Sequence, residues 1–535
     1  MSALVQSWSR STSWTGLLRS WAAGPSSVPR LCVVQTADAS SSVSTQVQDG
    51  TGTKTKVRTI KDLPKVGFLR FFYRLVVKGY YIRMHELQLY DKSLHGSIFR
   101  DGLGAVALGS AELLEEVLRR DEKFPVRGDM SLWKEYRDMQ GIGYGPFTEE
   151  GERWYQLRSV LNRRMLLPKE AHEFGPVIWD VVQDFTDRLR VLRKSSPTGD
   201  MVQDIANEFY RFSLEGIASI LFETRIGCLE DPIPEGTQDF INSIIQMFSY
   251  SPYVIVLPKW SRPLLPYWRR YNEGWAGIFK FAKVLIDRKL VEIEQRVDQQ
   301  EALEGEYLTY LLSNTNMSLK DVYGSVAELL LAGVDTTSNT LTWALHLLSL
   351  NPEVQRRLYS EVSQSGPEPS AEEVTRMPYL KATIKETLRM YPVVPMNARI
   401  FSEKDVVIGG YYFPKKTPFV FYHYAISHDE RTFPAAFEFH PERWIRDGHS
   451  LPHPFGSIPF GFGVRGCVGR RIAELEMTMA LFQLVRLFEI RPDPSVGELK
   501  SLNRTVLVPD RNVNLHFIQR EGQKEREGEK EEREG

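Results

Sequence analysis

Residues 460–469, Phe460-Gly461-Phe462-Gly463-Val464-Arg465-Gly466-Cys467-Val468-Gly469, place one cysteine in a glycine-rich loop. The run Arg470-Arg471-Ile472-Ala473-Glu474-Leu475-Glu476 that follows reads as the start of a helix. A thiolate persists only where positive potential and donated hydrogen bonds offset its charge, and the amides at a helix N-terminus supply both. Gly463, Gly466 and Gly469 let the backbone pass close beneath a flat cofactor, where a β-carbon would clash. Arg465, two residues before the cysteine, reaches an anionic group at the edge of such a cofactor. A haem held through a cysteine sulfur requires these features together. Taken alone, the loop also allows a buried free thiol that binds nothing.

Over a hundred residues upstream, the apolar stretch 325–348 is interrupted at Ala332-Gly333-Val334-Asp335-Thr336-Thr337. An Asp and two Thr are poor choices for a buried helix on propensity and burial grounds. The Thr336 hydroxyl can bond back to the Ala332 carbonyl and open the helix locally, with Gly333 leaving room for a small ligand. Such an opening holds dioxygen and a water, with Asp335 and Thr336 relaying protons. A glycine-kinked core helix with one buried polar bond is the alternative.

Two further patterns lie on helix-like segments. Lys385-Glu386-Thr387-Leu388-Arg389 sets an acid and an arginine three apart on one face, and Pro441-Glu442-Arg443-Trp444 offers a second arginine downstream. Pairs of this spacing are commonly solvated and worth little. Trp154-Tyr155-Gln156-Leu157-Arg158 falls on the amphipathic stretch 150–166.

These four motifs, in this order, resemble the cytochrome P-450 superfamily. The resemblance implies a mainly α fold with a small β region, in which haem b lies between a long distal helix and a proximal cysteine loop. It implies Cys467 as the axial ligand of the haem iron, with Phe460, Gly463, Arg465 and Gly469 around the cofactor. Trp154, Arg158 and Arg399 take the haem propionates, and Asp335 and Thr336 are the catalytic proton relay. Glu386, Arg389 and Arg443 form a buried network that serves folding and haem retention. The implied activity is monooxygenation, using dioxygen and two electrons to hydroxylate an unactivated carbon. A haem-thiolate isomerase would need neither relay nor redox partner, and a non-catalytic haem protein would keep Cys467 without forming product.

Length alone, at 535 residues, suggests several domains, yet no shift of composition marks a linker between about 60 and 520. The superfamily's single large unit resolves this, and 42% apolar residues suffice for its core. A net charge of −1 excludes a nucleic-acid binder that relies on a basic face. Cys32, Cys228 and Cys467 are too few for a disulfide framework and lack zinc-site spacing.

Before Asp38 there is no acidic residue, while Arg10, Arg19 and Arg30 stand among many Ser and Thr. Trp8, Trp14, Leu17, Leu18 and Trp21 add an apolar face. We read 1–58 as a mitochondrial transit peptide and flexible segment cleaved between 30 and 58, a disordered tail being the alternative. No run of eighteen apolar residues reads as a membrane span. Residues 59–520 are the monooxygenase domain, and the charged tail 521–535 has no apolar residue with which to join a core.

Similarity over most of 60–520 points to the mitochondrial branch, and within it to sterol side-chain (26/27) hydroxylases. Vitamin D and retinoid hydroxylases of the same branch share many of these features. The branch implies electrons from a 2Fe–2S ferredoxin of the adrenodoxin type, reduced by an NADPH-dependent ferredoxin reductase. Lys381 and Lys385, four apart on one helical face, together with Arg470 and Arg471, are the expected docking patch, unless they are an ordinary solvated face. Across 251–275, apolar and aromatic residues from Tyr253 to Trp268 alternate with Lys259, Arg262, Arg269 and Arg270. That pattern suits a bilayer interface without crossing it; the resemblance implies that it is a lid between two helices over the substrate entrance, dipping into the inner membrane from the matrix side. A plain surface loop is the alternative. Residues Met130 to Trp133 and Ile244 to Phe248 are expected near the substrate.

Overall fold

In the computed structural model, the longest apolar segment becomes the central helix. The description covers residues 46–48, 54–56 and 58–520, apart from 300–306, 315, 367 and 447–449. All of these belong to one unit, Gln46–Gly535. Most of the expected transit segment and the tail 521–535 lie outside the described residues; within the former, strands Gln46–Gln48 and Lys54–Lys56 pair antiparallel.

The principal elements, in chain order, begin with α1 (Met84–His95), β1 (Ile98–Arg100) and β2 (Val106–Leu108). Next come α2 (Ser131–Gln140), α3 (Gly151–Met165), α4 (Gly175–Ser195) and α5 (Ile205–Phe222). The helices α6 (Thr237–Val256), α7 (Pro266–Asp298), α8 (Leu319–Leu350) and α9 (Pro378–Met390) follow. After strands β3 (Asn397–Ile400) and β4 (Pro418–Phe421), the chain forms α10 (Arg470–Leu487) and β5 (Phe488–Pro492). It closes with β6 (Ser501–Arg504), β7 (Val506–Pro509) and β8 (Leu515–Gln519). The fold is mainly α with a small β region, as expected from the resemblance.

The strands make small sheets at the periphery. One has the order β1-β2-β4-β3, with β4 parallel to β2 (Phe419 opposite Val106) and antiparallel to β3. Another pairs β5 with β8, and β6–β7 form a hairpin of their own.

α8 starts at a capping box: the Ser318 hydroxyl accepts from the Asp321 amide, and the Asp321 carboxylate accepts from the Ser318 amide at 2.7 Å. It is buried on nearly every side, the condition for a helix apolar all round. Several of its hydroxyls are satisfied within the helix, Ser338 donating to the Val334 carbonyl and Thr342 to Ser338, each at 2.7–2.8 Å. α9 starts with Pro378, whose missing N–H costs nothing there. The next two amides, Tyr379 and Leu380, donate to the Glu361 carboxylate at 2.8 Å. Side chains from α4, α5, α8 and α10 build the main core, while the β1–β4 sheet carries a smaller one.

Candidate active site

The cysteine loop closes on itself before α10 begins. The Cys467 amide donates to the Phe460 carbonyl at 2.8 Å, and 463–465 form one 3-10 turn. Gly463 has φ +69°, a conformation that any side chain would strain, and a β-carbon there would enter open space. Cys467 keeps open surface. Desolvation by the surrounding protein nevertheless pushes its thiol up, opposed by the Gly469 amide and by the charges of Arg158, Arg127 and Arg470.

Four guanidinium groups converge beside this loop. Arg158 of α3 donates to the Gly466 carbonyl at 2.9 Å, and Arg127 donates to the Arg465 carbonyl at 3.1 Å. Arg465 donates to the Pro125 carbonyl at 2.8 Å and lies 3.7 Å over the Trp154 ring. Arg399 of β3 is paired with Asp121 at 3.0 Å and lines a small cavity with Arg127, Asn397, His423 and Arg465. Burial and the mutual repulsion of these cations pull Arg465 down to about 8 and Arg127 to about 10. Arg465 Nη1, Trp154 Nε1 and His423 Nε2 are buried without partners among the described residues. A surplus of cations and orphaned donors next to an accessible sulfur fits the propionates and the iron of a haem. Arg127 and His423 were not singled out from sequence, because isolated basic residues outside the cysteine loop, 340 and 44 positions before Cys467, carry no local signal.

The interrupted part of α8 differs from expectation in two respects. Thr336 Oγ1 does donate to the Ala332 carbonyl, at 2.7 Å, but the helix continues unbroken across it. Gly333 does not leave room for a ligand; a β-carbon there would come within 2.9 Å of the Ile217 side chain, so the glycine serves the crossing of α8 over α5. The opening lies one turn apart at Ala332 and Thr336, i and i+4 on one face, where a mostly buried helix keeps accessible surface. Asp335 is 1% exposed and engages Tyr210 of α5 and Arg504 of β6 instead.

Behind the loop, Glu386 and Arg389 of α9 and Arg443 come together as expected. Arg389 donates to both Glu386 oxygens at 2.8–2.9 Å, and Arg443 Nε donates at 2.8 Å. The Trp444 indole and the His440 amide add bonds at 2.8 and 3.1 Å, two partners that the sequence reading missed. Arg389 also donates to the carbonyls of Ser427, Ala436 and Glu438.

On the surface, Lys381 and Lys385 are exposed on α9. Partial burial and the nearby cations Lys381 and Arg470 pull the Lys385 ammonium down, with Glu474 opposing. Glu474 also pairs with Arg470 and Arg471, at 2.9 and 3.8 Å, so the patch is less basic than its lysines and arginines suggest.

The 251–275 segment is the end of α6, a 3-10 turn at Lys259–Ser261 and the start of α7. Ile255, Trp260, Leu264 and Leu265 are exposed, whereas Tyr267, Tyr271 and Trp275 are buried. Arg262 is not free to meet solvent; it pairs with Glu135 and lies 3.8 Å over the Trp268 ring. Of the expected substrate-side residues, Trp133 and Phe248 pack with ring centroids 5.9 Å apart.

Among the described residues, no helix is long and apolar enough to cross a membrane. The sequence profile of the cytochrome P-450 family matches residues 72–517. The chain is 48% identical over 486 residues to the mitochondrial sterol 26-hydroxylase of Homo sapiens, covering 88% of this chain and 91% of that one. The Oryctolagus cuniculus sterol 26-hydroxylase is also 48% identical, over 483 residues, covering 88% and 90%. The mitochondrial 25-hydroxyvitamin D-1 alpha hydroxylase of Homo sapiens is 40% identical over 476 residues, covering 86% and 93%. A sulfur-bearing loop beside a cluster of buried cations, and a profile match over most of its length, make this chain a member of the cytochrome P-450 family.

Proposed function

We propose that this chain is a mitochondrial monooxygenase that hydroxylates the terminal 26/27 carbon of sterol side chains. The observation that carries the reading is identity of 48% to sterol 26-hydroxylases against 40% to the vitamin D enzyme, each over most of the chain. Haem b, held by Cys467, supplies the dioxygen chemistry and the electron sink. Trp154, Arg127, Arg158, Arg399 and Arg465 hold its propionates, and Phe460, Gly463 and Gly469 shape the loop around it. Thr336, on the open turn of α8, holds a proton at Oγ1 for delivery, and Asp335 exchanges protons beside it. Glu386, Arg389 and Arg443 keep the segment behind the loop in place.

Electrons come from a 2Fe–2S ferredoxin of the adrenodoxin type, reduced by an NADPH-dependent reductase. It docks on Lys381, Lys385, Arg470 and Arg471, a mixed but net basic face that steers an acidic partner. The exposed Ile255, Trp260, Leu264 and Leu265 rest in the matrix leaflet of the inner membrane. Support comes from a second exposed apolar run, Phe68, Leu69, Phe72, Tyr73, Val76 and Val77. It lies beside the end of α6, where Phe71 and Leu75 cluster with Val256. Import would remove an N-terminal segment ending between 30 and 58.

The test is turnover by the purified holoprotein with ferredoxin, reductase and NADPH, offered a 27-carbon sterol, vitamin D and retinol in parallel. A terminal side-chain hydroxyl on the sterol as dominant product supports the reading. Rapid turnover of vitamin D or retinol with little sterol product overturns it and moves the protein to a sister activity.

A further inference from the structure

Asp335 sits next to the open turn of α8, yet its carboxylate is held by two residues far away in sequence. Tyr210 of α5 donates its hydroxyl hydrogen to Asp335 Oδ1. Arg504, the last residue of β6, lies 3.4 Å from the same oxygen and 2.5 Å from the Tyr210 hydroxyl oxygen. Asn339, one turn on in α8, donates to that hydroxyl oxygen at 2.9 Å and to the Asp335 carbonyl at 2.8 Å. Asp335 Oδ2 is buried and has no partner among the described residues.

The directions of these bonds follow from the chemistry of the groups. A phenol oxygen has one hydrogen and two lone pairs. Arg504 and the Asn339 amide nitrogen can only donate, so they occupy the acceptor side of Tyr210. Its single hydrogen is left to point at Asp335, and Oδ1 can only accept. Any proton that Asp335 takes up or gives up must therefore use Oδ2.

We infer that Arg504 and Tyr210 are positioning residues for proton delivery, fixing Asp335 Oδ1 as an acceptor and leaving Oδ2 as the one proton-exchanging oxygen. The inference rests on the proposed relay through Asp335 and Thr336. The proton that arrives at Oδ2 is the one that leaves from it, so the tyrosine, arginine and asparagine bonds survive each turnover. Burial raises the Asp335 carboxyl, while Arg504 from β6 and Tyr210 from α5, the charged and titratable groups facing it, lower it. Removing Arg504 thus moves the titration of Asp335 upward in pH and shrinks the ionised fraction at neutral pH.

The experiment compares the parent holoprotein with Arg504→Gln, Arg504→Lys, Tyr210→Phe and Asp335→Asn. Infrared difference spectra against pH follow the Asp335 carboxyl band, assigned by its loss in Asp335→Asn. NADPH consumption, product and peroxide are measured over the same pH range, and thermal unfolding checks the fold. Arg504→Gln should raise the titration by about one to three pH units, with a smaller rise for Tyr210→Phe. Coupling of NADPH to product should fall in parallel. Arg504→Lys, which keeps the charge and guards against loss of fold, should restore most of the shift. If Asp335→Asn uncouples but the titration is unmoved in folded Arg504→Gln and Tyr210→Phe, the inference is overturned and the relay stands. If Asp335→Asn leaves coupling intact, the relay reading fails and takes the inference with it.

Discussion

Neutralising Glu386 is the sharpest test of how the proximal side is held together. Glu386 and Arg389 are both fully buried, and Arg443 is 11% exposed at its side chain. In Glu386→Gln the shape survives, but two guanidinium groups lose the charge that they enclose. Breaking a buried pair by removing one partner costs about 3–5 kcal/mol. The Gln side chain has one carbonyl oxygen, so either the Trp444 indole or the His440 amide also loses its acceptor, and the figure is a lower bound. Against a stability of about 5–15 kcal/mol this is a large loss. Arg443→Gln is the control: it leaves the Glu386–Arg389 pair intact and removes one charged hydrogen bond to Glu386, worth about 1.5–3 kcal/mol, with two exposed bonds to the Pro434 and Ala435 carbonyls. Denaturant unfolding, with cofactor content read by absorbance, measures both variants. The reasoning is refuted if Glu386→Gln costs less than about 1 kcal/mol, or if the control costs as much as the test variant.

Three further outcomes follow from the surface and the distal helix. Lys381→Gln combined with Lys385→Gln should raise the Kd for ferredoxin about three- to tenfold at low salt, with the difference fading as salt screens the patch; equal binding at low salt would remove these lysines from the interface. Trp260→Ser with Leu264→Ser removes two exposed side chains from the lid tip and should weaken liposome binding about a hundredfold, from about 3 kcal/mol of lost burial. Co-sedimentation matching the parent would place the membrane contact elsewhere. Thr336→Ala deletes the hydroxyl on the open turn of α8 and should divert electrons to peroxide at unchanged ferredoxin affinity; coupling equal to the parent would dismiss its role.

What could be read from sequence was local. Cys467 with its glycines, the i,i+3 pair Glu386–Arg389 and the Thr336 back-bond each sit within one helix or loop, where spacing dictates geometry. Arg127, Tyr210, Arg504 and His423 escaped because their roles arise from contacts with other elements far outside their own helix, strand or loop, and nothing in their neighbours hints at them. Gly333 was misread for a related reason. A glycine beside an Asp-Thr pair looks like space for a ligand, but the chain that claims that space is Ile217, from another helix. Arg262 shows the same limit, since composition alone could not pair it with Glu135 and Trp268.

The bonds that hold the cysteine loop bear on when the protein can mature. Arg127 and Arg158 reach the carbonyls of Arg465 and Gly466 across 338 and 308 residues, and Arg465 reaches Pro125 across 340. Contacts at such separations form late, because the intervening chain must first be ordered. Until the loop is in place, Arg127 and Arg158 lack the carbonyls that they bind and no enclosed site exists. Only once both halves of the chain are together in one compartment can they close. Cofactor capture is thereby tied to completion of the chain, and a prematurely terminated product has no site in which to trap it.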